Sequence, residues 1–164
     1  MHMIDADLVF SEYAGWPYIL AAHSPPTGAI QITAGALFDA VDEYTYFGDS
    51  DGHLYVVTED DGPDAGSVAD EFDPDGAGAL PAYPIKPDGG NAITAAPLYE
   101  GGFIYVGNAN GKIFKINRTT EATTTMYNVG TGITIYDMAY IDQTPVGPGI
   151  GFSASNGKTY YIVP

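Results

Sequence analysis

The sequence predicts an all-β protein assembled from repeated antiparallel hairpins, and three observations predict it. Apolar residues alternate with a period of two over short runs, which is the strand period. The 21 Gly and 12 Pro punctuate those runs while 13 Tyr, with Thr and Val, fill them, a mix that favours short strands joined by turns. One phrase returns four times: "FSEYAGWPYIL" (10–20), "FGDSDGHLYVV" (47–57), "VGNANGKIFKI" (106–116) and "FSASNGKTYYI" (152–162).

Each copy has an apolar residue, a Gly or Ser, three variable residues and a Gly. Three positions later comes an aromatic (Tyr18, Tyr55, Phe114, Tyr160), and two beyond that an aliphatic (Leu20, Val57, Ile116, Ile162). Spacing of two puts the aromatic and the aliphatic on one buried face; Ile19, Val56, Lys115 and Tyr161 share the other, more mixed one. Before the turn, Phe10, Phe47, Val106 and Phe152 continue the alternation from Leu8, Thr45, Ile104 and Ile150. Asp51-Gly52, Asn110-Gly111 and Asn156-Gly157 suit the positive φ angles of tight hairpin turns.

A further strand is expected before each hairpin, in "AGALFDAV", "ITAAPLYEG" and "TIYDMAYID". Another is expected after it, in "GAIQIT" (28–33), "AYPIKP" (82–87) and "TTTMYNV" (123–129). The copies lie 37, 59 and 46 residues apart, from Ser11 to Gly48, Gly107 and Ser153. Propeller blades run ~40–50 residues with four strands each. The long interval carries an acidic insertion, 59–81. The expected architecture is therefore about four propeller-type four-stranded antiparallel blades, a partial β-propeller, near 4–33, 34–90, 91–131 and 132–164. A small β-sandwich or barrel is the alternative. Met1-His2-Met3 (1–3) reads as a cloning scar ahead of a single β-repeat domain, 4–164.

Charge narrows the partners. Asp and Glu number 21 against 5 Lys and Arg, a formal net charge of −16. Such a surface repels the phosphate backbone, so no nucleic-acid partner is expected. No apolar run approaches the ~20 residues of a spanning helix, so no membrane insertion is expected either. With no Cys, disulfides, thiol catalysis and zinc-thiolate sites are excluded.

The segment "ITAAPLYEGGFIYVGNANGKIFKINRTT" resembles a repeat of the pyrroloquinoline-quinone-type (quinoprotein-like) propeller superfamily. That repeat runs Ala-Pro, turn, "vYvG" strand, "dG" turn, and an aliphatic-aromatic strand ending near "TG". Thr27-Gly28 fits the ending; Thr119-Thr120 departs from it. "VDEYTYFGDSDGHLYVV" matches the same pattern and is similar to propeller segments of type IV pilus tip adhesins. The resemblance covers most of the chain outside the acidic insertion. It implies a propeller fold and, in the dehydrogenases of the superfamily, a quinone. Those enzymes use tryptophan docking motifs and commonly a cysteine pair; this chain has Trp16 alone and no Cys.

Catalytic motifs fail on context. Gly48-Asp49-Ser50-Asp51-Gly52 spells G-x-S-x-G, but a nucleophile elbow needs a strand-to-helix turn. His2, His23 and His53 are dispersed, and no glycine cluster opens a helix. Two carboxylate groups remain as calcium candidates. Asp70, Asp73 and Asp75, with Glu71 and before Gly76, resemble part of an oxygen-rich calcium loop, without the later bidentate Glu. Asp49 and Asp51, with Asp42, form the second group, although Asn108, Asn110, Ser155 and Asn156 at the same turn elsewhere point to a plain turn role. Asn117-Arg118-Thr119 is a glycosylation acceptor triplet from which nothing is drawn.

The expected function is a non-enzymatic propeller segment serving as a protein-interaction or adhesion module, extracellular, periplasmic or at the cell surface, with no cofactor. The alternatives are a fragment of a quinone- or metal-dependent propeller enzyme and a calcium-stabilised adhesin module. An open arc of four blades would expose two faces rich in Tyr, Phe, Ile and Val, so a homodimer completing a ring of about eight blades is expected, or else a fragment that needs the rest of its parent.

Overall fold

The computed structural model describes residues 31–39, 44–58, 85–142, 145 and 147–164. Among them are ten strands and no helix: β1 (Leu37–Asp39), β2 (Tyr44–Gly48), β3 (Leu54–Thr58), β4 (Leu98–Glu100), β5 (Phe103–Gly107), β6 (Lys112–Asn117), β7 (Thr123–Asn128), β8 (Ile135–Ile141), β9 (Gly149–Ala154) and β10 (Thr159–Ile162). They form three antiparallel sheets, β1-β2-β3, β4-β5-β6-β7 and β8-β9-β10. The all-β reading therefore holds.

Among the described residues, both strands of the second, third and fourth copies, the strand before each of those three hairpins and the strand at 123–128 fall where the period of two placed them, while the first copy, 10–20, lies outside the described residues. β5 pairs with β6 in the register Ile104↔Ile116 and Val106↔Phe114, so the four apolar side chains share one face. β2–β3 and β9–β10 repeat the register with Phe47↔Tyr55 and Phe152↔Tyr160, whose rings stack at 5.2 and 5.0 Å. β7 lies outside β6 as the fourth strand, with a register shift opposite Ile113/Phe114. Ile85 makes a single bridge to Leu54 in the matching place beside β3.

The stretch just before the first described sheet is bridged to it, while residues 28–30 lie outside the described residues. Gln31–Thr33, expected to end the first unit, bridge to the first described hairpin through Ile32↔Asp49. Ile93↔Asn108 repeats that bridge in the second sheet. These residues thus lead into the first strand of their own sheet.

Two cores join the three sheets. Tyr46, Leu54 and Val56 of the first sheet meet Ile93, Ile104, Val106, Phe114 and Ile116 of the second. From the opposite face of the second sheet, Tyr105 and Ile113 meet Ile135, Met138, Ile150 and Phe152 of the third. Burying a side chain of this size stabilises by about 1.5–3 kcal/mol, so each core holds its neighbours far more strongly than any single polar contact. The alternation decides the assignment: Phe114 and Ile116 look toward the first sheet, while Lys115 between them turns its ammonium over the Phe103 ring at 4.1 Å.

A polar contact also crosses the first core. Arg118, the chain's single Arg, is buried, with Nη1 donating to Asp39 at 3.4 Å and to the Tyr99 hydroxyl at 3.3 Å. Its guanidinium lies over the Tyr44 and Tyr99 rings at 5.0 and 5.2 Å. A planar cation that stacks and hydrogen-bonds at once can be buried at tolerable cost. Burial raises the Tyr46 phenol, against the opposing pull of the Arg118 cation.

Candidate functional site

The three hairpin turns are built alike. The first turn residue donates its N–H four residues ahead: Asp49 to His53, Asn108 to Lys112, Ala154 to Lys158. Gly52, Gly111 and Gly157 follow at φ 85°, 76° and 75°, where a side chain would be strained. The side chain at the first position does the rest. Asp49 is fully buried; its Oδ1 accepts the N–H groups of Asp51 (2.9 Å) and His53 (2.8 Å). Its Oδ2 accepts the Tyr55 hydroxyl at 3.0 Å and lies 3.1 Å from His53 Nδ1. Asn108 Oδ1 repeats the two amide bonds, to Asn110 (3.0 Å) and Lys112 (2.9 Å). Ala154 relies on backbone alone.

This geometry spends Asp49 on its own turn, with both carboxylate oxygens bonded within it. Asp51 is partly exposed at the turn, and Ser50 Oγ accepts the Gln31 N–H at 3.2 Å. Among the described residues no group of three or more His, Cys, Asp or Glu is gathered as metal ligands would be. Asp42, Asp70, Asp73 and Asp75 lie outside the described residues.

Asp88 braces the second turn from the preceding loop. It accepts from Asn108 Nδ2 (2.8 Å), Asn91 Nδ2 (3.0 Å) and Lys112 Nζ (2.5 Å). Burial pulls its carboxyl upward, but the bonds from Lys112 and Asn108, the Lys112 charge and the Asn91 bond outweigh it and hold the group below its ordinary value.

The same joint connects successive sheets. Ile93 sits against Gly48, its N–H donates to Asp49 O at 3.0 Å, and its C=O accepts the Thr33 hydroxyl at 2.6 Å. Ile135 sits against Gly107, its N–H donates to Asn108 O at 3.1 Å, and its C=O accepts the Thr94 hydroxyl at 2.6 Å. A Cβ on Gly48 would come within 2.4 Å of Ile93, and one on Gly107 within 2.7 Å of Ile135, so glycine is what admits the isoleucine. The joint sets the three turns side by side on one end of the stack. Asp51, Ala109, Asn110, Ser155, Asn156 and Lys158 are at least partly exposed there. No signal in the sequence marked the isoleucines, Thr33, Thr94, Asp88 or the Asp39–Arg118 pair as partners.

No protein-family model matches the chain, and no curated protein matches it. Among solved structures it is similar to the computationally designed Ika4 protein, at 17% identity and TM-score 0.38, over 84% of this chain and 94% of that one. It is also similar to the computationally designed Ika8 protein, at 17% identity and TM-score 0.38, over 80% of this chain and 46% of that one. Likeness at this level carries no argument about the chain.

Proposed function

We propose that the chain is a non-enzymatic segment of propeller-type blades that works as a protein-interaction or adhesion module outside the cytoplasm. The observation that supports this is the repeated joint. It adds one sheet to the next in a fixed direction, and it lines up hairpin turns in which Asp49 and Asn108 hydrogen-bond their own turn backbone. What varies is the turn surface, and surface loops on a rigid scaffold are where binding residues concentrate. The formal charge of −16 favours a partner with a basic or neutral face.

Immobilised protein tests this against proteins released from the surface of the source cells. Asp51→Lys, Ala109→Lys and Lys158→Glu alter the turn end together, and Thr119→Lys alters the opposite end. Capture lost with the first set and kept with the second supports the reading. Equal capture by both, or none at micromolar concentration, sinks it.

A further inference from the structure

We infer that the outward face of the third sheet is a closed end of the described stack, facing solvent, on which no sheet of a second copy docks. Each side chain of the joint is replaced there. The shared turn geometry makes Ser153 the counterpart of Gly48 and Gly107. In register, Gly48 faces Leu54 and Gly107 faces Ile113, whereas Ser153 faces Thr159. Two residues before the glycine stand Tyr46 and Tyr105, both buried; the third sheet has Gly151. After the isoleucine stand Thr33 and Thr94, the hydroxyl donors; the third sheet has Tyr136, 60% exposed.

Each replacement acts against docking. A side chain at the Ser153 position occupies the space that Ile93 and Ile135 fill beside Gly48 and Gly107, where a Cβ would stand 2.4 and 2.7 Å from them. Thr159 is exposed where Leu54 and Ile113 are buried. The room left by the small residues is taken from within the sheet. Ile141 lies over Gly151, and Tyr161 lies over Gly149, with its hydroxyl donating to the Gly147 carbonyl. The seat of the joint is thus small and hydroxylic, at Ser153 and Thr159, where the other two sheets carry a glycine and a buried aliphatic residue, although Ile141 stays exposed beside it. Large apolar side chains do remain exposed in or beside the third sheet, at Tyr136, Ile141 and Val163, but at its rim rather than at the Ser153 seat. The ring closed by a second copy would have to form through some other surface. None of this depends on what the module binds.

A matched pair of variants tests it. Ser153→Lys is expected to leave the mass by light scattering and the Tm of the parent unchanged, whereas Gly107→Ser lowers the Tm by several degrees. Hydroxyl-radical footprinting of the unmodified protein, expected to label Ile141 and Val163 strongly, covers the case in which a variant fails to fold. A parent dimer that survives Ser153→Lys places its interface elsewhere and supports the inference. A dimer that Ser153→Lys dissociates, or protection of Ile141 and Val163, overturns it.

Discussion

Gly107→Ala should destabilise the protein although alanine suits a strand better than glycine does. The added Cβ would stand 2.7 Å from Ile135 Cγ2, 3.0 Å from its Cβ and 3.1 Å from Ala95 Cβ, with strand on either side and nothing flexible to give way. Overpacking of this kind costs about 1–3 kcal/mol. Ile135 is fully buried, and Ile135→Ala alone should cost about 2–5 kcal/mol through lost burial and the cavity left behind. In the double variant the new methyl enters the space the isoleucine vacates. The two costs should then fall short of their sum by roughly 0.5–3 kcal/mol, the coupling expected of residues in contact. Urea denaturation followed by circular dichroism measures all four corners of the cycle. Each kcal/mol corresponds to roughly 2–4 °C in Tm for a chain of this size, so thermal melts give a second reading. Additivity within about 0.5 kcal/mol would mean that Ile135 does not occupy the Gly107 site, and the account of the joint would fail.

Phe114→Ala, on the face toward the first sheet, should cost about 3–5 kcal/mol. Lys115→Ala should cost no more than the cation–π contact with Phe103, about 0.5–1 kcal/mol, and equal costs would invert the strand phase. Glu121 is buried at φ 57°, with neither carboxylate oxygen hydrogen-bonded among the described residues, and burial raises its pKa to about 7. A raised carboxyl stabilises the fold fully below its ordinary pKa of 4.5, and that contribution is lost as pH rises through about 7. Glu121→Gln should therefore gain stability relative to the parent between pH 5 and pH 8 in paired melts; a difference independent of pH would show that Glu121 is already ionised in the fold. If the 70–76 loop holds calcium, millimolar calcium raises the Tm of the parent by mass action and leaves the Asp73→Ala/Asp75→Ala variant unmoved; a flat response in the parent leaves a solvated loop.

Strands and turns were legible in the sequence because both are local. The alternation through Phe103–Gly107 and Lys112–Asn117 fixed which side chains share a face, and Gly52, Gly111 and Gly157 announced turns whose backbone needs positive φ. The joint was not legible. Ile93 and Gly48 are far apart in the chain and each passes for an ordinary strand residue; only the docking of two sheets makes one the seat of the other. Arg118 and Asp39, 79 positions apart, likewise carry no mark of each other. Gln31–Thr33 bridge to the hairpin that follows them, a partner that apolar alternation does not announce because it reads the same whichever hairpin it joins. β7 is rich in threonine, which tolerates either face, so its shift against β6 left no trace in the pattern.

Nuclear Overhauser spectra of protein labelled at the isoleucine methyls test the repeated joint most directly. Cross-peaks are expected from the Ile93 Cγ2 methyl to the Gly48 Hα protons and from the Ile135 Cγ2 methyl to those of Gly107, with no isoleucine of another sheet reaching Ser153. Absence of the first two, with both methyls broadened by a soluble paramagnetic probe, would contradict the stacking of sheets on which the account rests.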